Sequence, residues 1–290
     1  MRPAIGINTF VWYSPLTDAR LVEVLPKVAS WGFETVELVL ENPGDWDPAL
    51  AADLSAELHL NVAVAAVMPP GRDLTAASSE TVAQTQEYLL HCIDVATRIG
   101  ASVVGGPLYT AVGRTWRMTS AERADAMRDL RTALLPLADA AGEAGVTLGI
   151  EPLNRYESSL INTVEQLMEL LDGLPSSVGG VFDTYHANIE EADPLEALRT
   201  LAPRLAAMQV CSNTRGAPGQ DHLDWAGYGQ VLAEINYTGS MSIESFTADN
   251  EIISAAAAIW RPLAPSQDEP ATTGLGFLRS WRDTWAPTTP

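Results

Sequence analysis

The chain has 290 residues, 47% apolar and 19% charged, enough to bury a core and too apolar for a disordered chain. Its 37 acidic residues outnumber 17 Lys and Arg; the net charge of −20 opposes nucleic acid, an anionic membrane surface and, without a local basic pocket, a phosphorylated substrate. Cys92 and Cys211 are too few for a disulfide framework, and no window suits a signal peptide or a membrane span, so a cytoplasmic protein is expected.

Apolar runs alternate with amphipathic segments along the whole chain. Ala4–Asn8 reads as the first strand, followed by an aromatic loop (Phe10, Trp12, Tyr13) and a helix over Asp18–Trp31. Thr35–Leu40 is the second strand, and a helix over 48–58 leads to a third strand at 60–66. A turn-rich loop at 68–74 precedes a long helix, Ser79–Ile99, that Gly100 ends. Val103–Gly106 is the fourth strand and Ser120–Ala144, stopped by Gly145, the next helix.

At the centre, the runs 146–150 and 178–182 each lead into a carboxylate, Glu151 and Asp183. Between them 163–173 reads as a helix closed by Gly173 and Pro175, so the unit is a parallel crossover. The runs 205–211 and 241–244 complete eight strands, and the leading architecture is a single (β/α)8 TIM barrel over 1–262. A doubly wound open sheet is the rival; its dinucleotide version lacks a G-x-G-x-x-G after the first strand. Residues 263–290 read as a turn-rich link and a helix from 275 to 285, whose Leu278, Trp281 and Trp285 would pack on the barrel or on a partner subunit.

Polar residues stand at four consecutive strand ends: Glu151, Asp183, Gln209 and Glu244. A lone Asp after a strand is more often a helix N-cap than a functional group. Here the acids recur at one rim, with Glu157, His186 and Arg215 nearby, and that favours function. Three carboxylates in one pocket repel one another unless a cation neutralises them, and oxygen donors suit Mn²⁺, Mg²⁺ or Co²⁺ better than zinc. The loop Cys211-Ser-Asn-Thr-Arg-Gly-Ala-Pro-Gly219 has the turn formers to carry Arg215 over the mouth.

The motifs Ile150-Glu-Pro-Leu-Asn-Arg-Tyr-Glu157, Phe182-Asp-Thr-Tyr-His186, Arg215-Gly-Ala-Pro-Gly219 and Ser242-Ile-Glu-Ser-Phe246 resemble the xylose-isomerase-like TIM barrels. Within these they are most similar to ketose 3-epimerases of the D-tagatose/D-allulose type; Met68–Leu74 and Gly106–Arg114 fit as well. The resemblance implies Glu151, Asp183 and Glu244 as metal ligands, with Glu151 and Glu244 also the acid/base pair. It implies Glu157, His186 and Arg215 as substrate-binding residues and Trp12 as part of the pocket wall. The expected cation is Mn²⁺, with Mg²⁺ or Co²⁺ as alternatives, and a homo-oligomer (dimer or tetramer) is the expected assembly. One position departs: Gln209 stands where the family has a histidine ligand, which weakens metal binding or removes it, since an amide oxygen is the poorer donor. His222, in Gly219-Gln-Asp-His-Leu-Asp-Trp225, could swing in to substitute, but a histidine in such a loop more often faces solvent.

The activity so implied is epimerisation or isomerisation of a ketose through an enediolate. The same apparatus could run an elimination, as an inosose-type dehydratase or a C-glycoside-cleaving lyase. A metal-poor barrel that only binds a sugar is a third reading, and DNA-repair nuclease activity is opposed by the charge of −20.

Overall fold

Strand runs that are apolar on both faces need cover on both, and this chain provides it by closing its sheet on itself and packing helices around the outside. In the computed structural model, which describes residues 2–246, 248 and 251–285, eight parallel strands form a closed barrel in sequence order. They are β1 (Ala4–Asn8), β2 (Thr35–Leu40), β3 (Asn61–Ala66), β4 (Val103–Gly106), β5 (Thr147–Ile150), β6 (Val178–Asp183), β7 (Leu205–Val210) and β8 (Ser240–Ile243). Every residue of β2 and of β6 is buried.

The first four helices are α1 (Asp18–Trp31), α2 (Pro48–Glu57), α3 (Ser79–Ile99) and α4 (Ser120–Ala144). After β5 come α5 (Val164–Leu171), α6 (Thr184–Glu190) and α7 (Pro194–Leu201). The last are α8 (Trp225–Glu234), α9 (Glu251–Ala256) and α10 (Asp268–Trp285). Their ends follow local chemistry. Asp47, Ser78, Thr163 and Asp224 each accept a backbone N–H at a helix start, and Thr119 forms a capping box with Glu122. Gly32, Gly100 and Gly145 close α1, α3 and α4 in the left-handed conformation that a side chain would resist.

The C-terminal helix begins seven residues before the expected 275. Its turn formers serve the helix instead of breaking it. Pro270 lies in the first turn, where a missing N–H costs nothing. Gly274 lets the helix press on the barrel: a Cβ there would fall 2.7 Å from Ile243 Cδ1 and 2.8 Å from Pro218 Cδ. Further along, Trp281 donates from Nε1 to the Trp225 carbonyl at 2.6 Å and meets the Trp225 ring edge-on at 5.1 Å. Gly229 of α8 leaves room for Trp285. The helix therefore spans the seam between β8, β1 and α8. Residues 286–290 lie outside the described residues. No described helix is long and apolar enough to cross a membrane.

Because Trp281 is buried and hydrogen-bonded at this seam, Trp281→Ala should lower stability by about 3–5 kcal/mol. Denaturant unfolding measures it; a loss below about 1 kcal/mol would mean that α10 contributes little to the barrel.

Candidate active site

All eight strands run parallel, so their carboxyl ends share one rim. Glu151 directly follows β5, Asp183 is the last residue of β6, Gln209 is near the end of β7, and Glu244 directly follows β8. All four are buried. Asp183 fills two roles at once. Its Oδ1 accepts the Tyr185 N–H at 2.6 Å, capping α6, while Oδ2 accepts from Arg215 Nη1 at 2.6 Å.

Arg215 is only 2% exposed. Its φ of 65° lies in the left-handed region, uncommon for a residue with a side chain. The loop enforces it: Ser212 N–H donates to the Gly216 carbonyl at 3.0 Å, and Ser245 Oγ donates to the Arg215 carbonyl at 2.6 Å. The guanidinium is thereby aimed inward, over the Tyr185 ring at 4.2 Å, and Nη1 also reaches Glu244 Oε2 at 3.0 Å.

His186 Nδ1 accepts the Asn154 backbone N–H at 2.9 Å, so the neutral ring carries its proton on Nε2. That nitrogen stands 3.4 Å from Glu151 Oε1 and 2.8 Å from Arg215 Nη2. A guanidinium only donates, so the short contact to Arg215 is not a hydrogen bond in this tautomer, and the approach to Glu151 is an electrostatic contact that leaves Glu151 Oε1 without a hydrogen-bond partner.

Beneath this group lies a second layer. Gln209 Nε2 donates to Glu37 Oε2 and to Glu244 Oε1, both at 3.1 Å. Asn8 Nδ2 reaches the same two oxygens at 3.1 and 3.3 Å. Two carboxylates can be faced only by the NH₂ end of an amide, which fixes the orientation of Gln209. Its Oε1 and Glu151 Oε1 are then buried oxygens without a hydrogen-bond partner.

Electrostatics separates the acids. Burial pushes Asp183 up, but the Arg215 guanidinium overrides it and holds the carboxyl below the usual range. Burial raises Glu151 and Glu37, and drives Glu244 well above the ordinary value with help from the Glu151 charge. Glu151, Asp183 and His186 also offer ligand atoms within 4.8 Å of one another, a cluster able to hold a metal ion.

Above the acids opens a cavity of about 160 Å³, small beside the roughly 300–1,000 Å³ of sites for drug-sized ligands and suited to a monosaccharide rather than an oligosaccharide. Phe10, Val67, Met68, Leu153, Phe246 and Ile253 supply most of its upper wall, and Glu157 lines it too.

The xylose isomerase-like TIM barrel model matches residues 25–281. The chain belongs to that family. It is 31% identical to an L-ribulose 3-epimerase of Mesorhizobium japonicum over 94% of each chain. A solved structure of an L-ribulose 3-epimerase superposes with a TM-score of 0.91 at 30% identity, covering 97% of this chain and 95% of that one. The D-allulose 3-epimerase of Methylomonas sp., solved with D-allulose, gives 0.88 at 28% identity over 96% and 97%. The kinship is with ketose 3-epimerases, which are isomerases.

Of the residues expected at the site of this family member, Glu151, Glu157, His186, Gln209, Arg215 and Glu244 all line the cavity, and Asp183 is bound to Arg215 beside them. Trp12 does not line it. The 3-10 turn Thr9–Val11 sends Trp12 outward, where Nε1 donates to Asp268 at 2.8 Å and the ring lies against Trp31; Phe10 faces the cavity instead. His222 is also outside, exposed and 3.3 Å from Asn188 Oδ1. Glu37 and Asn8 were not anticipated. The available signal was an acid inside an otherwise apolar strand.

Arg215→Met should destabilise the metal-free protein by about 3–5 kcal/mol, since it strips Asp183 and Glu244 of their buried counter-charge. Thermal or denaturant unfolding tests this, and a neutral result would show those carboxyls to be compensated otherwise.

Proposed function

We propose that the protein is a divalent-metal-dependent 3-epimerase of a ketose monosaccharide. One observation carries the reading: Glu151 and Glu244, from strands three places apart, are both buried and both raised at the floor of a monosaccharide-sized cavity. Two carboxyls facing one pocket can serve as base and acid, and a raised carboxyl is the better proton donor of such a pair. The names of the relatives point the same way.

The donor set fits a hard cation. Glu151, Asp183, Glu244 and Gln209 would hold it through oxygen, two of those oxygens being buried and unpartnered, and Mn²⁺ is the expected ion with Mg²⁺ or Co²⁺ as alternatives. When bound, it supplies Lewis-acid stabilisation of negative charge on the ketose oxygens. The chain does the rest. One glutamate removes the C3 proton, the enediolate charge is met by the Arg215 guanidinium, and the other glutamate returns a proton from the opposite side. His186, oriented by Asn154, and Glu157 hold substrate hydroxyls, and the apolar wall excludes water. A homo-oligomer, dimer or tetramer, is the proposed assembly; the exposed rings of Tyr156 and Trp260 are apolar surface for it to cover.

Incubation in D₂O with Mn²⁺ and a panel of ketoses should show deuterium entering at C3 together with the epimer. Protein that carries the metal and exchanges no ketose proton would overturn the reading. Glu151→Gln and Glu244→Gln should each lower kcat by about 10² or more while the fold persists, and full activity in either would remove that residue from the chemistry.

Gln209→His should tighten Mn²⁺ binding, because imidazole is the stronger donor. Calorimetric titration reads this directly. An unchanged affinity would place Gln209 outside the coordination sphere.

A further inference from the structure

The cavity is polar at its floor and mostly apolar above. Among the described residues, apart from the acid cluster, its partners and Glu157, Glu41 is the lining residue with a polar side chain. It directly follows β2, on the face of the strand that also carries Glu37 and Val39, since alternate residues share a face. Glu37 meets Gln209 at the floor, and Val39 packs with Phe10, Ala65 and Ile253 in the wall. Four residues at about 3.3 Å each put Glu41 some 13 Å further toward the rim. In an eight-stranded barrel β2 is also four places from β6, so Glu41 faces the Asp183 and His186 side across the mouth.

The carboxylate is half-buried and held from one side: Ser14 Oγ donates to Oε1, while no described residue donates to Oε2. Burial and the Asp45 charge raise the carboxyl, a rise that the Ser14 hydroxyl and Arg72 offset only in part. Among the described residues the one cation lining the cavity is Arg215, which is committed to Asp183 and Glu244. Arg72 is spent elsewhere, donating to the Glu41 and Val67 carbonyls and stacked 3.7 Å over Tyr88. A terminal phosphate would meet the Glu41 carboxyl, and among the described residues no uncommitted cation lines the cavity to receive it.

We propose that Glu41 determines specificity at the far end of the substrate, accepting a hydrogen bond from its terminal hydroxyl and excluding a terminal phosphate or carboxylate. This rests on the epimerase reading, with the reacting carbons at the floor and the tail pointing outward.

The test compares D-allulose with its 6-deoxy analogue and uses D-fructose 6-phosphate as inhibitor. Wild type should favour D-allulose by about 10-fold or more in kcat/KM, the scale of one hydrogen bond to a charged group, with the difference in KM. Glu41→Leu should bring that ratio close to one. Glu41→Gln keeps an acceptor and the Ser14 contact, and should bind D-fructose 6-phosphate about 10-fold tighter than wild type does. An unchanged substrate ratio in Glu41→Leu, or unchanged inhibition in a folded Glu41→Gln, would overturn the role of Glu41 alone. No turnover of any ketose by metal-loaded wild type would overturn the epimerase reading, and this inference with it.

Discussion

Four carboxyls, Glu37, Glu151, Asp183 and Glu244, are buried at one end of the barrel, and among the described residues a single buried guanidinium offsets them. Burial disfavours each charge, and every neighbouring charge disfavours it further. The surrounding structure answers that repulsion. The left-handed backbone at Arg215, the Ser245 hydroxyl that holds it and the Tyr185 ring beneath it all serve to place one positive charge between Asp183 and Glu244. The amides of Asn8 and Gln209 supply the remaining donors, to Glu37 and Glu244. Strain of this kind persists only where the surroundings over-determine it, and here the ends of β6, β7 and β8 all contribute.

Much of the scaffold is legible in the residues because local and global signals agree. Each β strand is a short apolar run, most of the longer helices begin at a Ser, Thr or Asp, and Gly ends several of them. The signals fail where elements are short or where tertiary packing decides. The helices α6 and α9 span only seven and six residues, too few for a periodic pattern to stand out. Pro270 and Gly274 read as a link because turn formers usually are one; only contact with Pro218 and Ile243 shows that Gly274 marks close packing.

At the site, legibility follows chemistry. Residues whose charge has no business at an apolar strand end could be found, and the rim gathers them. Trp12 could not be told from Phe10 by sequence, because one 3-10 turn decides which ring faces in. Glu37 lay hidden for the opposite reason. Inside Thr35–Leu40 it looks like an interruption of a strand, and its role emerges only when β7 and β8 bring Gln209 and Glu244 against it.

That layer also gives physical sense to glutamine at 209, where the family the sequence resembles carries a histidine. An imidazole that binds a cation through one nitrogen has one N–H left to give. A primary amide has two. Gln209 uses them on Glu37 and Glu244 together, and its remaining oxygen is still buried and unpartnered. If 209 is a ligand position, as proposed, glutamine there would give up donor strength toward a metal and gain an additional hydrogen bond that holds Glu244 in place. The acid is therefore positioned by the protein itself, through Arg215 on one oxygen and two amides on the other, before any cation binds. On the proposed epimerase reading, a site ordered in this way would need less from a metal, and a weaker ligand at 209 would be compatible with an intact acid/base pair.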